Sequence, residues 1–361
     1  MRIGIPAEIM NGESRVAATP ASVRTLVQDG HEVLVQQGAG AGASFFDEEY
    51  ANSGATVVDS AQQVWESAQL VLKVKEPLEE EYGYLREDLV LFTYLHLAAS
   101  KQLTQALLDS GCTALAYETV TDRHGGLPLL TPMSQVAGRL AVIEGAHHLM
   151  STQGGRGVLL PGVPGTKPAR VVVIGGGQVG ASAVAMATGL RAEVTVLDLE
   201  PRILQHFDDL YQGRVRTQIS DPVTLREELV EADLVIGAVL IPGAAAPKLV
   251  TEDMVKDMKP GAVLVDVAID QGGCFENSRK TTHAEPTFKV HDTIFYCVAN
   301  MPGAVANTST RALTTATLNY VRDIAAEGVD GAFERSSGLR DGLMARGGKL
   351  LSEPVRKALD L

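Results

Sequence analysis

The chain has 361 residues, of which 45% are hydrophobic and 21% charged, and its formal net charge is −13. That length holds two domains with cores of their own, and the acidic balance excludes the basic footprint that nucleic acid or an anionic membrane surface requires. Three scattered cysteines, Cys112, Cys274 and Cys297, exclude a disulfide framework or a metal cage and read as reduced and structural, in a cytoplasmic protein with no apolar run of membrane-spanning length.

The opening, Met1-Arg-Ile-Gly-Ile-Pro6, enters a strand-like run without the apolar core of a secretion signal. The mature chain is therefore expected to begin at or near Met1. Short apolar runs predict strands over residues 2–5, 32–35, 70–74, 89–94 and 113–117, with helices over 20–28, 47–53, 61–68 and 101–110 between them. This alternation predicts a parallel α/β unit. The polar, glycine-rich stretch 122–128 ends it, and Thr131-Pro132 opens a long apolar helix running to about residue 150. A loop over 154–168, with five glycines and three prolines, leads to the next strand.

That strand carries the most informative spacing. Val171-Val-Val-Ile174 is followed by Gly175, Gly177 and Gly180, a G-x-G-x-x-G turn between strand and helix. The first glycine permits the tight turn, the second lets the backbone approach a pyrophosphate, and the third lets helix and strand pack closely. A pyrophosphate would sit on the N-terminus of the helix beginning near Val179. Asp198 ends the next strand, eighteen residues beyond Gly180. A carboxylate there accepts hydrogen bonds from ribose hydroxyls and repels a 2′-phosphate, which favours NAD over NADP, with Arg202 close by as the one contrary charge.

Further strands are expected over 214–219, 234–238, 262–267, 287–290 and 293–298, with helices over 222–231 and 251–258. From Asn307-Thr-Ser-Thr310 onward the pattern reads as helical to the end, and this tail is expected to pack back on the first domain. The fold class is α/β, with two Rossmann-like doubly wound parallel-sheet domains and a cleft between them. The expected division is a substrate domain of residues 1–128 and 306–361 and a dinucleotide-binding domain of residues 129–305.

Ligands of such sheets bind beyond the carboxyl ends of the strands. On that rim fall Lys75, His96 and Asp270, each at the end of a strand-like run, and Arg15, in the loop after the first strand. An arginine there can hold a carboxylate through two parallel hydrogen bonds. A surface lysine, a satisfied core histidine, a turn aspartate and a loop arginine remain the alternatives for each alone. The adjacent His147 and His148 diverge on a helix and cannot share an ion, and no pair of ligands at helical spacing predicts a metal. No G-x-S-x-G elbow and no C-x-x-C is present.

Arg15, Lys75, His96, the glycine turn, Asp198, Ala238-Val-Leu-Ile-Pro-Gly243, Val265-Asp-Val-Ala-Ile-Asp-Gln-Gly-Gly273 and Tyr296-Cys-Val-Ala-Asn-Met-Pro-Gly303 together resemble the alanine dehydrogenases, in order and across nearly the whole chain. The resemblance implies an NAD-dependent L-alanine dehydrogenase that interconverts L-alanine and water with pyruvate and ammonia. It also implies a homohexamer whose substrate domain is built from both chain ends. By the same resemblance Arg15 and Lys75 hold the substrate carboxylate, His96 is the acid/base and Asp270 assists it. Cofactor contacts are implied for Gly175, Gly177, Gln178, Val179, Gly180, Asp198, Ser220 and Arg279. On the nicotinamide side they are implied for Ser134, Val239, Leu240, Val267, Ala268, Ile269, Val298, Ala299, Asn300 and Met301. Two positions depart from the family pattern, with Ala7 where relatives usually carry lysine and Ile203 where a basic residue often stands beside the ribose. The rival readings are a transhydrogenase NAD-binding subunit, which works with a membrane partner, a non-catalytic NAD(H) sensor, and another amino-acid dehydrogenase of the same superfamily.

Overall fold

A computed structural model describes residues 1–239 and 246–360. Two compact units are present, Met1–Met133 with Gly303–Leu361, and Ser134–Pro302. Among the described residues their strands form one sheet of eight and one of seven.

In the first unit the chain forms β1 (Arg2–Ile5), β2 (Glu32–Gln36), β3 (Thr56–Val58), β4 (Leu70–Leu72), β5 (Val90–Thr93) and β6 (Thr113–Ala116). All of these pair in parallel, in the order β6-β5-β4-β1-β2-β3. β4 and β6 are buried along their whole length, as strands covered by helices on both faces must be. β3, which the sequence did not predict, is three residues long and partly exposed at the edge, so it carries neither an apolar run nor a clean alternation. Thr19 caps the helix Pro20–Gln28 in a reciprocal capping box with Ser22, and Gly111, in the left-handed region, closes Lys101–Ser110. Ile3, Ile5, Leu70, Phe92 and Leu115 pack against Leu313, Val321 and Ile324 of the long C-terminal helix.

The second unit begins with helix Thr131–His148, most of which belongs to it. It contains β7 (Arg170–Ile174), β8 (Glu193–Asp198), β9 (Val215–Ile219), β10 (Leu234–Gly237), β11 (Val263–Asp266), β12 (Thr287–Val290) and β13 (Thr293–Tyr296). The order is β12-β13-β11-β10-β7-β8-β9, parallel except for β12 at one edge. Both sheets therefore start in the middle, wind outward on one side, and return to the other side of the first strand.

The C-terminal segment is not helical throughout. Helix Ala306–Arg335 is interrupted at Gly328 and is followed by β14 (Leu343–Arg346) and β15 (Lys349–Leu350), then by helix Glu353–Leu359. β14 pairs antiparallel with β6 and extends the first sheet. Gly347 and Gly348, both at positive φ, form the two-residue hairpin turn, a signal that a helical period passes over.

β4 runs on into Lys73, whose side chain is 1% exposed and lies between Glu8 at 3.1 Å and Glu81 at 2.8 Å. Glu8 also accepts the N–H of Val74 at 2.6 Å. Burial opposes the ammonium, but the two carboxylates outweigh it and hold the Lys73 pKa above the lysine range. Burial pushes Glu8 up, with Lys73 acting against it. Lys73→Met strands both carboxylates, and we expect a loss of about 3–5 kcal/mol, read from urea unfolding midpoints. In the second unit a Cβ on Gly180 would come within 1.8 Å of the Gly175 carbonyl oxygen, whereas one on Gly177 would meet nothing. Gly180→Ala is expected to lower the Tm by more than 5 °C while Gly177→Ala leaves it within about 2 °C, as differential scanning calorimetry would measure.

Candidate active site

The first sheet changes winding direction between β1 and β4, and the loops beyond that point bring charge together. Arg15 lies in the loop after β1 and is 3% exposed. Its two-bond grip is on a carboxylate of its own loop. Its Nε donates to Glu13 Oε1 at 2.7 Å and its Nη2 to Glu13 Oε2 at 2.5 Å, with Nη1 3.1 Å from Met133 Sδ. Lys75 stands three residues past the end of β4, not at its tip as the sequence reading had it. It is half-buried, and no hydrogen bond or ion pair holds its ammonium among the described residues.

His96 also lies beyond its strand. β5 stops at Thr93, and His96 takes a left-handed conformation with φ 48° and ψ 37° before the short turn Leu97–Ala99. Its Nδ1 is 3.4 Å from Glu76 Oε2, and its side chain is 47% exposed. The backbone N–H of His96 donates to Glu118 Oε1 at 2.7 Å, and that of Leu95 reaches both Glu118 oxygens at 3.2 Å. Crowding by protein disfavours the imidazolium and Lys75 repels it, but Glu76 and Glu118 prevail, and the His96 pKa lies above the ordinary histidine value. Glu76 is pushed up by burial and pulled down further by His96 and Lys75, ending below the carboxylate range. Tyr94 stacks on His96 at 5.9 Å, and its hydroxyl donates to the Leu129 carbonyl at 2.7 Å. Burial lifts the Tyr94 pKa, while Arg15 lowers it and Glu118 adds to the rise.

Arg15, Lys75 and His96 thus belong to one electrostatic neighbourhood on the first unit. Sequence reasoning missed its carboxylates, Glu13, Glu76 and Glu118. Glu13 had a signal, two residues before Arg15; Glu118 had none, since its loop follows a different strand.

In the second unit the glycine turn lies at the corresponding place, between β7 and β10. Gly175 has φ 97°, and a Cβ there would come within 2.8 Å of the Ala238 carbonyl oxygen and 3.2 Å of Val239. Helix Gln178–Gly189 begins with Gln178 and Val179, Gly177 caps it without a side-chain acceptor, and a Cβ on Gly177 would meet nothing. Asp198 accepts the N–H of Gly176 at 2.6 Å through Oδ2 and that of Glu200 at 2.8 Å through Oδ1. The Ser220 N–H donates to the Asp198 carbonyl at 3.0 Å. Arg202 is exposed, and Ile203 packs over Gly176.

Asp270 does not end a strand. β11 stops at Asp266, and a short turn, Val267–Gln271, carries Val267, the buried Ala268 and Ile269, and the exposed Asp270. Asp266 forces that turn by accepting the N–H groups of Ala268, Cys274 and Phe275. Val298 and Met301 are buried, Ala299 is half-buried, and Asn300 is left-handed with φ 58°. Arg279 lies over the Phe288 ring at 4.2 Å, and Ser134 is half-buried in the first turn of Thr131–His148. Leu240, expected beside Val239, lies outside the described residues. Among the described residues no cluster of metal-ligating side chains is present, and no helix is long and apolar enough to cross a membrane.

The sequence matches the family described as Alanine dehydrogenase/PNT, N-terminal domain, over residues 4–137, and Alanine dehydrogenase/PNT, C-terminal domain, over residues 141–353. An alanine dehydrogenase of Mycolicibacterium smegmatis is 59% identical over 361 residues, covering 100% of this chain and 97% of its own length. One of Bacillus subtilis is 53% identical over 360 residues, covering 99% and 95%. A solved L-alanine dehydrogenase superposes with a TM-score of 0.96 at 48% identity, over 100% of this chain and 99% of its own. A transhydrogenase from Sinorhizobium meliloti superposes with a TM-score of 0.86 at 26% identity, over 97% and 100%.

Proposed function

This chain belongs to the alanine dehydrogenase/PNT family and interconverts L-alanine and water with pyruvate and ammonia; we propose that NAD is its hydride carrier and that Arg15, Lys75, His96 and Asp270 conduct the chemistry. The observation that carries this assignment is the gathering of Arg15, Lys75 and His96 at the switch point of the first sheet.

The second unit fits a dinucleotide. The open face of Gly177 and the uncapped N–H groups at Gln178 and Val179 would hold the pyrophosphate, with Gly175 and Gly180 keeping strand and helix close enough to present them. Asp198, fixed by two backbone N–H groups, would take the ribose hydroxyls and disfavour a 2′-phosphate. Ser220 and Arg279 would flank that end. Ser134, Val239, Val267, Ala268, Ile269, Val298, Ala299, Asn300 and Met301 would line the nicotinamide side, as the resemblance implies, and Leu240 joins them on the same ground. Bound NAD supplies the acceptor for the hydride leaving the alanine Cα.

Arg15 and Lys75 hold the substrate carboxylate and so orient Cα–H, which converts an encounter into a positioned step. Loss of hydride leaves a cationic iminium, which the Asp270 carboxylate stabilises. With alanine reacting as its free amine, His96 takes a proton from the water attacking the iminium carbon and returns it to the amine nitrogen, and as ammonia departs it takes the remaining hydroxyl proton, which passes to solvent. Pyruvate then remains on the two cations. We further propose a homo-oligomer, a hexamer by the resemblance of the sequence, whose mass light scattering would give.

The transhydrogenase reading shares the dinucleotide turn but predicts no turnover of an amino acid. With L-alanine and NAD, absorbance at 340 nm should rise far faster than with NADP, L-serine, glycine or L-lysine. No reduction with any amino acid despite NADH binding would favour that reading or a sensor. His96→Gln should lower kcat at least 100-fold with NADH affinity within about twofold. Gly177→Ala should instead weaken NADH binding at least tenfold in a protein of unchanged Tm. The base form of His96 grows as pH rises through its raised pKa. Deamination kcat/KM should therefore climb on an acid limb centred above the ordinary histidine value of about 6.5, and the donor form used in the reverse direction is lost over the same interval.

A further inference from the structure

His96 is a bulky residue in a backbone region that side chains seldom adopt, with neighbours Leu95 and Leu97 buried on either side and its own ring 47% exposed. Something must hold it there. The N–H groups of Leu95 and His96 both point at one carboxylate, Glu118, which sits on the turn Tyr117–Thr119 after β6. Such charge-assisted bonds tie the end of β5 to the end of β6. Glu76, from the loop after β4, meets the ring itself at Nδ1. A proton on Nδ1 facing Glu76 leaves the Nε2 lone pair outward, and Nε2 has no partner among the described residues.

We propose that Glu118 and Glu76 are the positioning residues of His96, the first fixing its left-handed backbone and the second fixing its ring orientation and tautomer. This rests on His96 being the acid/base. The charged groups facing the imidazole are Glu76, Glu118 and Lys75, and Tyr94 stacks beside it. Two carboxylates against one ammonium leave the site with an excess of negative charge. Removing either carboxylate should therefore make the imidazole easier to deprotonate. The two residues act differently, however. A glutamine at 118 offers one acceptor oxygen to two converging N–H groups, so the backbone relaxes. A glutamine at 76 can still meet the ring but no longer favours its cation.

The test compares Glu76→Gln, Glu118→Gln, Glu118→Asp and His96→Gln in the full-length enzyme. It reads L-alanine oxidation across pH 6–10 and the pH dependence of diethylpyrocarbonate modification of His96, the latter by peptide mass spectrometry. Glu76→Gln should shift both the acid limb of kcat/KM and the His96 modification midpoint down by about one pH unit. Glu118→Gln should lower kcat about 10–100-fold with the KM for L-alanine and the affinity for NADH within about twofold. Glu118→Asp keeps the charge but shortens the reach, so it should retain the limb and still lose kcat. A merely structural role would lower yield or Tm and leave limb and midpoint in place. If His96→Gln is inactive while Glu76→Gln and Glu118→Gln keep the parent kcat, limb and midpoint, the positioning inference is wrong. If His96→Gln stays active, the acid/base reading is wrong, and the modification midpoints still decide whether the two carboxylates control the ring.

Discussion

A sheet that starts in its middle and winds first to one side and then to the other must leave a crevice where the two directions part, because right-handed crossovers put the flanking helices on opposite faces there. This chain meets that constraint twice, between β1 and β4 and between β7 and β10. Each unit answers it with different chemistry. The second leaves backbone at its crevice, in the form of a glycine at positive φ, an open glycine and an uncapped helix end. The first fills its crevice with charge. Backbone N–H groups suit a phosphate that must be bound without being altered, whereas ionisable side chains suit a substrate whose protons must move.

Charge in a crevice has to be stabilised by charge. Lys73 is buried between Glu8 and Glu81, and Arg15 is buried against Glu13. Neither cation would be tolerated at 1–3% exposure without those partners. The Lys73 group spans the loop after β1 and the turn Glu79–Tyr84 beyond β4, so it joins the segments that flank Lys75. Of two lysines two residues apart, one thereby locks the rim, and the other has no hydrogen-bond or ion-pair partner among the described residues.

What the sequence made legible follows from the range of each interaction. The G-x-G-x-x-G turn was legible because its requirements are local, and at Gly175 and Gly180 a Cβ would run into backbone, while Gly177 is left open. Arg15, Lys75, His96 and Asp270 were legible as rim residues, yet Lys75, His96 and Asp270 lie several residues beyond their strands. Burial runs past the regular strand, as Val74, Tyr94 and Leu95 demonstrate by remaining buried beyond the last strand residues, with the Tyr94 N–H still donating to the Val74 carbonyl at 3.3 Å. The carboxylates that set His96 come from loops 20 and 22 residues away, and no local pattern announces such a meeting. The hairpin at Gly347-Gly348 was a turn signal flanked by strands too short to show a period.

One property unites the groups proposed to meet ligands. Asp198 is held by the N–H groups of Gly176 and Glu200, Arg15 by Glu13, and the His96 backbone by Glu118. Each is oriented before anything binds, so the entropy of ordering it is spent in folding and not at the moment of reaction. Asp198 also keeps hydrogen-bonding capacity beyond these partners, since a carboxylate oxygen has two lone pairs. Lys75 is the exception, a flexible ammonium with no hydrogen-bond or ion-pair partner among the described residues. A site made of rigid dipoles plus one adaptable cation suits a carboxylate whose attached carbon changes from tetrahedral to planar and back: in the proposed roles Lys75 would follow the movement while Arg15 would anchor it.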